Sequence, residues 1–230
     1  MEQSSVRSLF DGIAHRYDLL NRVLSGGIDM RWRARAVETL RAAQPKEILD
    51  VACGTADLSI AAIALGPDSI TGVDIAEEML RIGREKIAAK ELDGTIRLRS
   101  GAAEHLGFPD TSFDAVMVAF GVRNFEDLPA GLREMYRVLR RGGRLVVLEF
   151  SRPRSFPFRT LYGAYFRFVL PRLGRAISGH PYAYRYLHDT VMEFPEGEAF
   201  QKKLSEAGFH NTKEERLTFG IATIYTATKG

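Results

Sequence analysis

The chain has a single cysteine, Cys53. It can therefore close no internal disulfide and cannot build a metal site from paired thiolates, and a reducing compartment is its default setting. Five histidines, His15, His105, His180, His188 and His210, are scattered without ligand spacing, so no metal is expected. No uncharged apolar run reaches the 18 residues of a membrane span. The opening "MEQSSVRSLFDGIAHRYD" has no basic start followed by an apolar core, which argues against a secretory signal. One-sided charge is missing too: 32 basic against 29 acidic residues leave a formal +3, too near balance to announce a nucleic-acid partner. The expectation is a soluble cytoplasmic chain, at most attached peripherally to the inner face of a membrane.

What is present fits one globular domain: 230 residues, 45% hydrophobic and 27% charged. Val6, Leu9, Phe10, Ile13 and Tyr17 recur at helical steps, "SGG" at 25–27 breaks that helix, and a second is expected over about 29–43, before Pro45 stops it. Residues 1–44 thus read as a helical cap. From Lys46 short β-rich runs alternate with helices, as "EILDVA", "SITGVDI", "TIRLRSG", "FDAVMVAF" and "GRLVVLEFS". Such alternation predicts a Rossmann-like α/β fold with a mostly parallel sheet, because parallel strands need long crossovers. "TKEERLTFG" and "IATIYTATK" meet at Gly220 and predict an antiparallel C-terminal pair, completing seven strands. Residues 152–195, rich in tyrosine and arginine, form an insertion read as a helical lid.

The stretch "ILDVACGTADLSI" (48–60) ends a buried strand at an acid and turns through small residues into a helix. A turn without bulk lets main-chain N–H groups approach a ligand. Asp74, 20 residues past Gly54 at the end of the next strand, stands where an acid accepts hydrogen bonds from ribose hydroxyls. Only one glycine is present in the turn, so the dinucleotide fingerprint is poorly met. The pattern describes a nucleoside site without tight pyrophosphate contact. Asp50 is either a turn anchor or a ligand contact. Cys53 reads as a small turn residue and not a nucleophile, since no catalytic His and acid accompany it.

The order "LDVACGTADL", "GVDIAEEML", "AAEHLGFPDTSFDAV" and "RVLRRGGRLVVLEF" resembles the class I S-adenosylmethionine-dependent methyltransferases. With "YDLLNRVLSGGIDMRW" (17–32), "FGVRN" (120–124) and "YRYLHDTVMEFP" in the lid, the chain resembles the C-methyltransferase family of menaquinone and ubiquinone biosynthesis over essentially its whole length. The resemblance implies S-adenosylmethionine as cofactor, Gly54 and Thr55 at its methionine part and Asp74 at its ribose. It places "GAAEHL" along the adenine, with Ala102 and Ala103 where the family has Asp or Asn followed by Ala. Ala119 replaces a common Ser, Asp29 a frequent His and Arg141 a common Pro.

The implied acceptor is a polyprenyl quinol, demethylmenaquinol before a benzoquinol. The reduced ring is the logical substrate, because a quinone is an electrophile. Arg123 and Asn124 follow the fourth strand directly, at the rim where sites of open α/β sheets gather. Arg123 is expected to stabilise a phenolate, and Arg123 with Asn124 forms the candidate catalytic pair. The general base is open between His180 and Tyr184, which are also the candidate substrate contacts. The aromatic and arginine-bearing segment 156–170 suits a membrane interface or a prenyl tunnel, and equally an amphipathic core helix. Other readings are methylation of another small hydrophobic phenol, a silent cofactor-binding scaffold, and a nucleic-acid module, which the modest net charge opposes. Self-association as a homodimer is left open.

Overall fold

A computed structural model describes residues 3–165 and 181–230. Two helices, α1 (Gln3–Ser25) and α2 (Asp29–Glu38), precede the sheet. The strands are β1 (Glu47–Val51), β2 (Ser69–Asp74), β3 (Ile96–Ser100), β4 (Phe113–Ala119), β5 (Leu139–Phe150), β6 (Phe209–Leu217) and β7 (Ala222–Lys229). Between them lie α3 (Asp57–Ala62), α4 (Glu77–Ala88) and α5 (Leu128–Val138). The insertion after β5 carries α6 (Phe158–Ala164) and α7 (Pro181–Glu193), and α8 (Glu198–Glu206) leads into β6.

The sheet order is β3-β2-β1-β4-β5-β7-β6, parallel through β5, with β7 antiparallel to both of its neighbours. This is the seven-stranded, mostly parallel arrangement that the strand pattern predicts. Two boundaries differ. Helix α2 stops at Glu38 and gives way to a short 3-10 turn at Arg41–Ala43. Strand β5 begins at Leu139, four residues before "GRLVVLEFS", because the ladder with β4 resumes beyond a register shift.

Alternation along each strand divides the core. Leu49, Val51, Val116 and Val118 face one layer with Leu132 and Met135 of α5 and Phe200 of α8. Ile48, Ala115, Met117 and Leu148 face the other with Trp32, Ala36 and Leu58 of α2 and α3. The sheet is thus buried on both faces, which is why its strands read as nearly continuous apolar runs.

The carboxyl edge is shaped by backbone more than by bulk. After β1 the chain takes left-handed conformations at Ala52, Gly54 and Ala56 (φ 53°, 53° and 65°). Alternating hand curls the turn tightly, and only small residues bear it cheaply. The loop after β4 comes so close that a Cβ on Gly121 would sit 2.5 Å from the Cβ of Ala52. Helix α1 crosses this edge and joins α4: its Asp11 carboxylate accepts from Glu78 N–H (3.0 Å), capping a helix whose own N-cap, Ala76, has no side-chain acceptor. Gly121→Ala is expected to destabilise the fold by about 1–3 kcal/mol, as overpacking does, measured by urea denaturation. An unchanged midpoint would contradict this close approach.

Candidate active site

Two cavities meet at the carboxyl edge. The smaller cleft is lined by Gly54, Asp74, Gly101, Ala103 and Ala119 among others, and by Asn124 on the loop after β4. The larger, about 430 Å³, lies under α1, α2 and the insertion and is walled mostly by aromatic and aliphatic side chains. Phe10, Tyr17 and Phe120 border both, so they form the partition between them.

Within the cleft, the Asp74 carboxylate accepts from Gly54 N–H (2.8 Å) and Ala76 N–H (2.9 Å). A carboxylate has about four acceptor sites, so capacity is left for a ribose hydroxyl. Burial pushes its carboxyl above the ordinary range, against the pull of those N–H groups. Small residues at 54, 101, 103 and 119 keep the walls clear for a nucleoside, and these residues fit S-adenosylmethionine. The open volume is only about 70 Å³, below the ~300–1,000 Å³ of ordinary ligand pockets, because Val6, Phe10 and Tyr17 of α1 lie across it.

The loop after β4 carries the other cavity's chemistry. Phe120, a bulky residue at φ 60°, is held in the left-handed region, at a cost on the order of 1–3 kcal/mol. Its carbonyl accepts from Arg123 Nη1 (2.6 Å) and, more weakly, from Asn124 Nδ2 (3.5 Å). Its ring stacks on Phe150, 4.4 Å between centroids. Arg123 Nη1 also donates to Glu149 Oε1 (2.6 Å), an ion pair whose side chains are 6% and 0% exposed. The buried Nε of Arg123 has no hydrogen-bond partner among the described residues, and the guanidinium borders the larger cavity.

The ubiE/COQ5 methyltransferase family model matches residues 1–229. The chain belongs to that family. A demethylmenaquinone methyltransferase of Bacteroides fragilis is 45% identical over 229 residues, covering 99% of this chain and 94% of the relative. The ubiquinone/menaquinone biosynthesis C-methyltransferase UbiE of Geotalea daltonii is 47% identical, covering 97% and 96%. Among solved structures, an SAM-dependent methyltransferase from Thermotoga maritima superposes with a TM-score of 0.67 at 19% identity, over 97% of this chain and 99% of that one. The protein is thus an S-adenosylmethionine-dependent methyltransferase.

On this methyltransferase edge the expected residues separate. Gly54, Asp74, Ala103 and Ala119 line the cleft together. Ala102 sits one step aside in an isolated bridge to His105. The Thr55 hydroxyl, 2% exposed, points to the cap, donating to Asp18 (2.6 Å) and accepting from Lys86 (3.2 Å). Asp50 is fully buried behind the turn and borders neither cavity; Ser59 donates to its Oδ2 (2.5 Å) while Oδ1 has no partner. Arg123 and Asn124 divide, one bordering each cavity, and Tyr186 of α7 donates to Asn124 Oδ1 (2.8 Å), tying insertion to sheet. His180 lies outside the described residues, as does Arg167. Tyr184 falls on α7, but its side chain is not among those described.

Tyr17 and Phe120 line the cavities and Glu149 pairs with Arg123, although residue patterns gave the first two no role of their own and left that of Glu149, near the end of a strand, open. Tyr17 looked like one more apolar step of a helix face, yet its phenol lies within the field of Arg123 and Arg33; burial nonetheless raises its pKa, against the Asn21 hydrogen bond. Phe120 belongs to "FGVRN" and could have been found there. Cys53 is buried, and desolvation with the nearby Asp50 and Asp74 charges pushes its thiol well above the ordinary value, so it is no nucleophile at neutral pH.

Burial, and to a lesser degree the Asp74 charge, raise Asp50 to about 7 from an ordinary 3.8. Between those values the folded state binds more protons than the unfolded chain, so this group's contribution to stability falls as pH rises. Asp50→Asn is expected to gain on the wild type by about 1.4 kcal/mol per pH unit between pH 5 and 7, then level off, in urea titrations of both. A flat difference would mean that Asp50 is ionised throughout.

Proposed function

We propose that the protein transfers the methyl group of S-adenosylmethionine to a ring carbon of demethylmenaquinol. The observation that carries this reading is the shared partition: an apolar cavity large enough for a prenylated ring abuts the cofactor cleft through Phe10, Tyr17 and Phe120, with a buried guanidinium at its wall. Held by Asp74 and the turn at Gly54, the cofactor would supply an electrophilic methyl group to the ring carbon, whose proton would pass to a bound water.

The chain's own residues do the rest. Asp74 takes the ribose hydroxyls, and α1 lifts to admit the cofactor and then closes over it. Arg123 cannot act as a free cation, because Glu149 balances its charge. It acts as an oriented donor at the wall of the larger cavity, steadying the ring oxygen beside the reacting carbon as negative charge develops there. An analogous oxyanion donor is worth about 2.7–4 kcal/mol. Phe120 and Phe150, stacked on one another, give the cavity an aromatic wall beside the ring, and the closed cap excludes water.

The mouth of the larger cavity suits a lipid-borne tail. Leu161 of its wall is 61% exposed, Phe219 (64%) stacks on the lining Phe158, and Phe156 (83%) stands two residues before that ring, with the exposed Arg154 and Arg159 close along the chain. Among the described residues no helix is long and apolar enough to cross a membrane. The reading is peripheral contact through this aromatic and cationic rim. Phe156→Ser with Phe219→Ser is expected to reduce sedimentation with anionic vesicles at least threefold, leaving turnover of a short-chain quinol intact; equal sedimentation would refute the rim.

The enzymatic reading is tested with a chemically reduced short-chain demethylmenaquinol, following radiolabelled methyl, with a benzoquinol in a parallel arm. Methylation of the naphthoquinol is expected; its absence while S-adenosylmethionine still binds would overturn the substrate. Arg123→Lys, which keeps the charge opposite Glu149, should lower turnover about 10²–10³-fold with cofactor affinity within threefold of wild type. Asp74→Ala should do the reverse.

A further inference from the structure

Besides Arg123, Thr218 and the tyrosines of the insertion, the polar lining of the larger cavity gathers where α1 and α2 meet, at Ser25, Asp29 and Arg33, with Tyr17 and Asn21 alongside. Asp29 is 3% exposed, so this is a carboxylate taken almost wholly out of water yet bordering the cavity. Its Oδ2 accepts from Arg22 Nη1 (2.8 Å) and from Arg33 Nη1, and its Oδ1 accepts from Ser25 Oγ (2.8 Å). An ionised carboxylate offers about four acceptor sites, and these bonds take two on Oδ2 but one on Oδ1. Among the described residues, one acceptor site on Oδ1 remains. Burial alone would raise this carboxyl, but the Ser25 hydrogen bond and the Arg33 and Arg22 charges hold it below the ordinary range, so it stays ionised and acceptor-only.

We propose that Asp29 is the residue that selects the oxidation state of the substrate ring, by accepting the O–H of the hydroxyl para to the one steadied by Arg123. The inference rests on the quinol reading above. A reduced ring carries two O–H donors; an oxidised ring carries none, and its carbonyl oxygen would be set lone pair to lone pair against a buried anion. A site built around a fixed acceptor penalises the analogue that lacks the donor, since the acceptor is left unsatisfied out of water. The neighbouring cations do not cancel this. Arg22 and Arg33 each commit an Nη to Asp29, and Arg33 lies over the Phe120 ring, 5.3 Å from its centroid. The second ring oxygen thus meets an acceptor on the cap side, while the first meets a donor, Arg123, on the sheet side. Reduced rings satisfy both.

Two measurements test this. First, the wild-type enzyme is given a short-chain naphthoquinol whose hydroxyl remote from the reacting carbon is capped as a methyl ether. Its KM is expected to rise on the order of 10- to 100-fold, the span of one hydrogen bond to a charged group. Second, Asp29→Asn, which keeps an acceptor but adds an N–H donor, should narrow the ratio between inhibition by the oxidised naphthoquinone and KM for its reduced form at least tenfold, with S-adenosylmethionine affinity unchanged within threefold. A capped substrate that binds like the free quinol, or an unaltered ratio in Asp29→Asn, overturns the proposal while wild-type methylation of the quinol leaves the parent reading standing. Failure of the wild type to methylate any quinol overturns both. The capped-ether arm uses only wild-type protein and holds whether or not the variant folds.

Discussion

The buried pair between Arg123 and Glu149 is the constraint on which the site depends. Glu149, at the carboxyl end of β5 and wholly buried, accepts from Arg123 Nη1 and from Phe150 N–H, and more distantly from Arg123 N–H. Breaking such a pair strands a charge out of water, typically at several kcal/mol. The loop after β4 is therefore pinned to the tip of β5 by electrostatics instead of by packing alone. That anchoring offsets the left-handed backbone at Phe120, and with it the ring that stands between the two cavities. It also fixes Asn124 where Tyr186 of the insertion can reach it. One ion pair thus aligns sheet, partition and lid.

The cap contributes the complementary half. Helix α1 is fastened to the sheet layer by polar contacts at its flanks: Asp11 to the start of α4, Asp18 to Thr55 and Lys86, and Arg22 to Asp29 and Asp57. These bonds surround a partly apolar interface in which Ala14 meets Ala76 and Met79. Several are half-exposed ion pairs of small individual worth. A helix held this way can leave and return, as a cofactor cleft covered by its own first helix requires. The same helix thereby borders both the cleft and the larger cavity.

Much of this was legible in the residues. The alternation of β-rich runs and helices predicted the sheet, and "ACGTA" with Asp74 20 residues on predicted the cleft; Gly54, Asp74, Ala103 and Ala119 do gather there. The roles of other residues were not legible. Thr55 belongs to the same turn as Gly54, yet the left-handed step at Ala56 follows a side chain directed toward the cap. Arg123 was expected to stabilise a phenolate, but its pairing was not foreseen, because Glu149 lies 26 residues away and reaches it only through the β4–β5 ladder. Tyr17 and Asp29 passed as a helix-face residue and a departure from a family pattern, since a one-dimensional period cannot tell a cavity wall from a core.

By itself the sequence determined the strand order's raw material, the two-faced burial of the sheet and the place of the nucleoside turn. These follow from local periodicity and from residues too small to block a backbone, and both are properties of neighbours along the chain. Only the tertiary structure decided which charges are paired, which carboxylate faces an apolar cavity and which rings divide donor from acceptor. Those depend on distances between segments far apart in sequence, where the cost of an unpaired buried charge, and not any propensity, selects the partner.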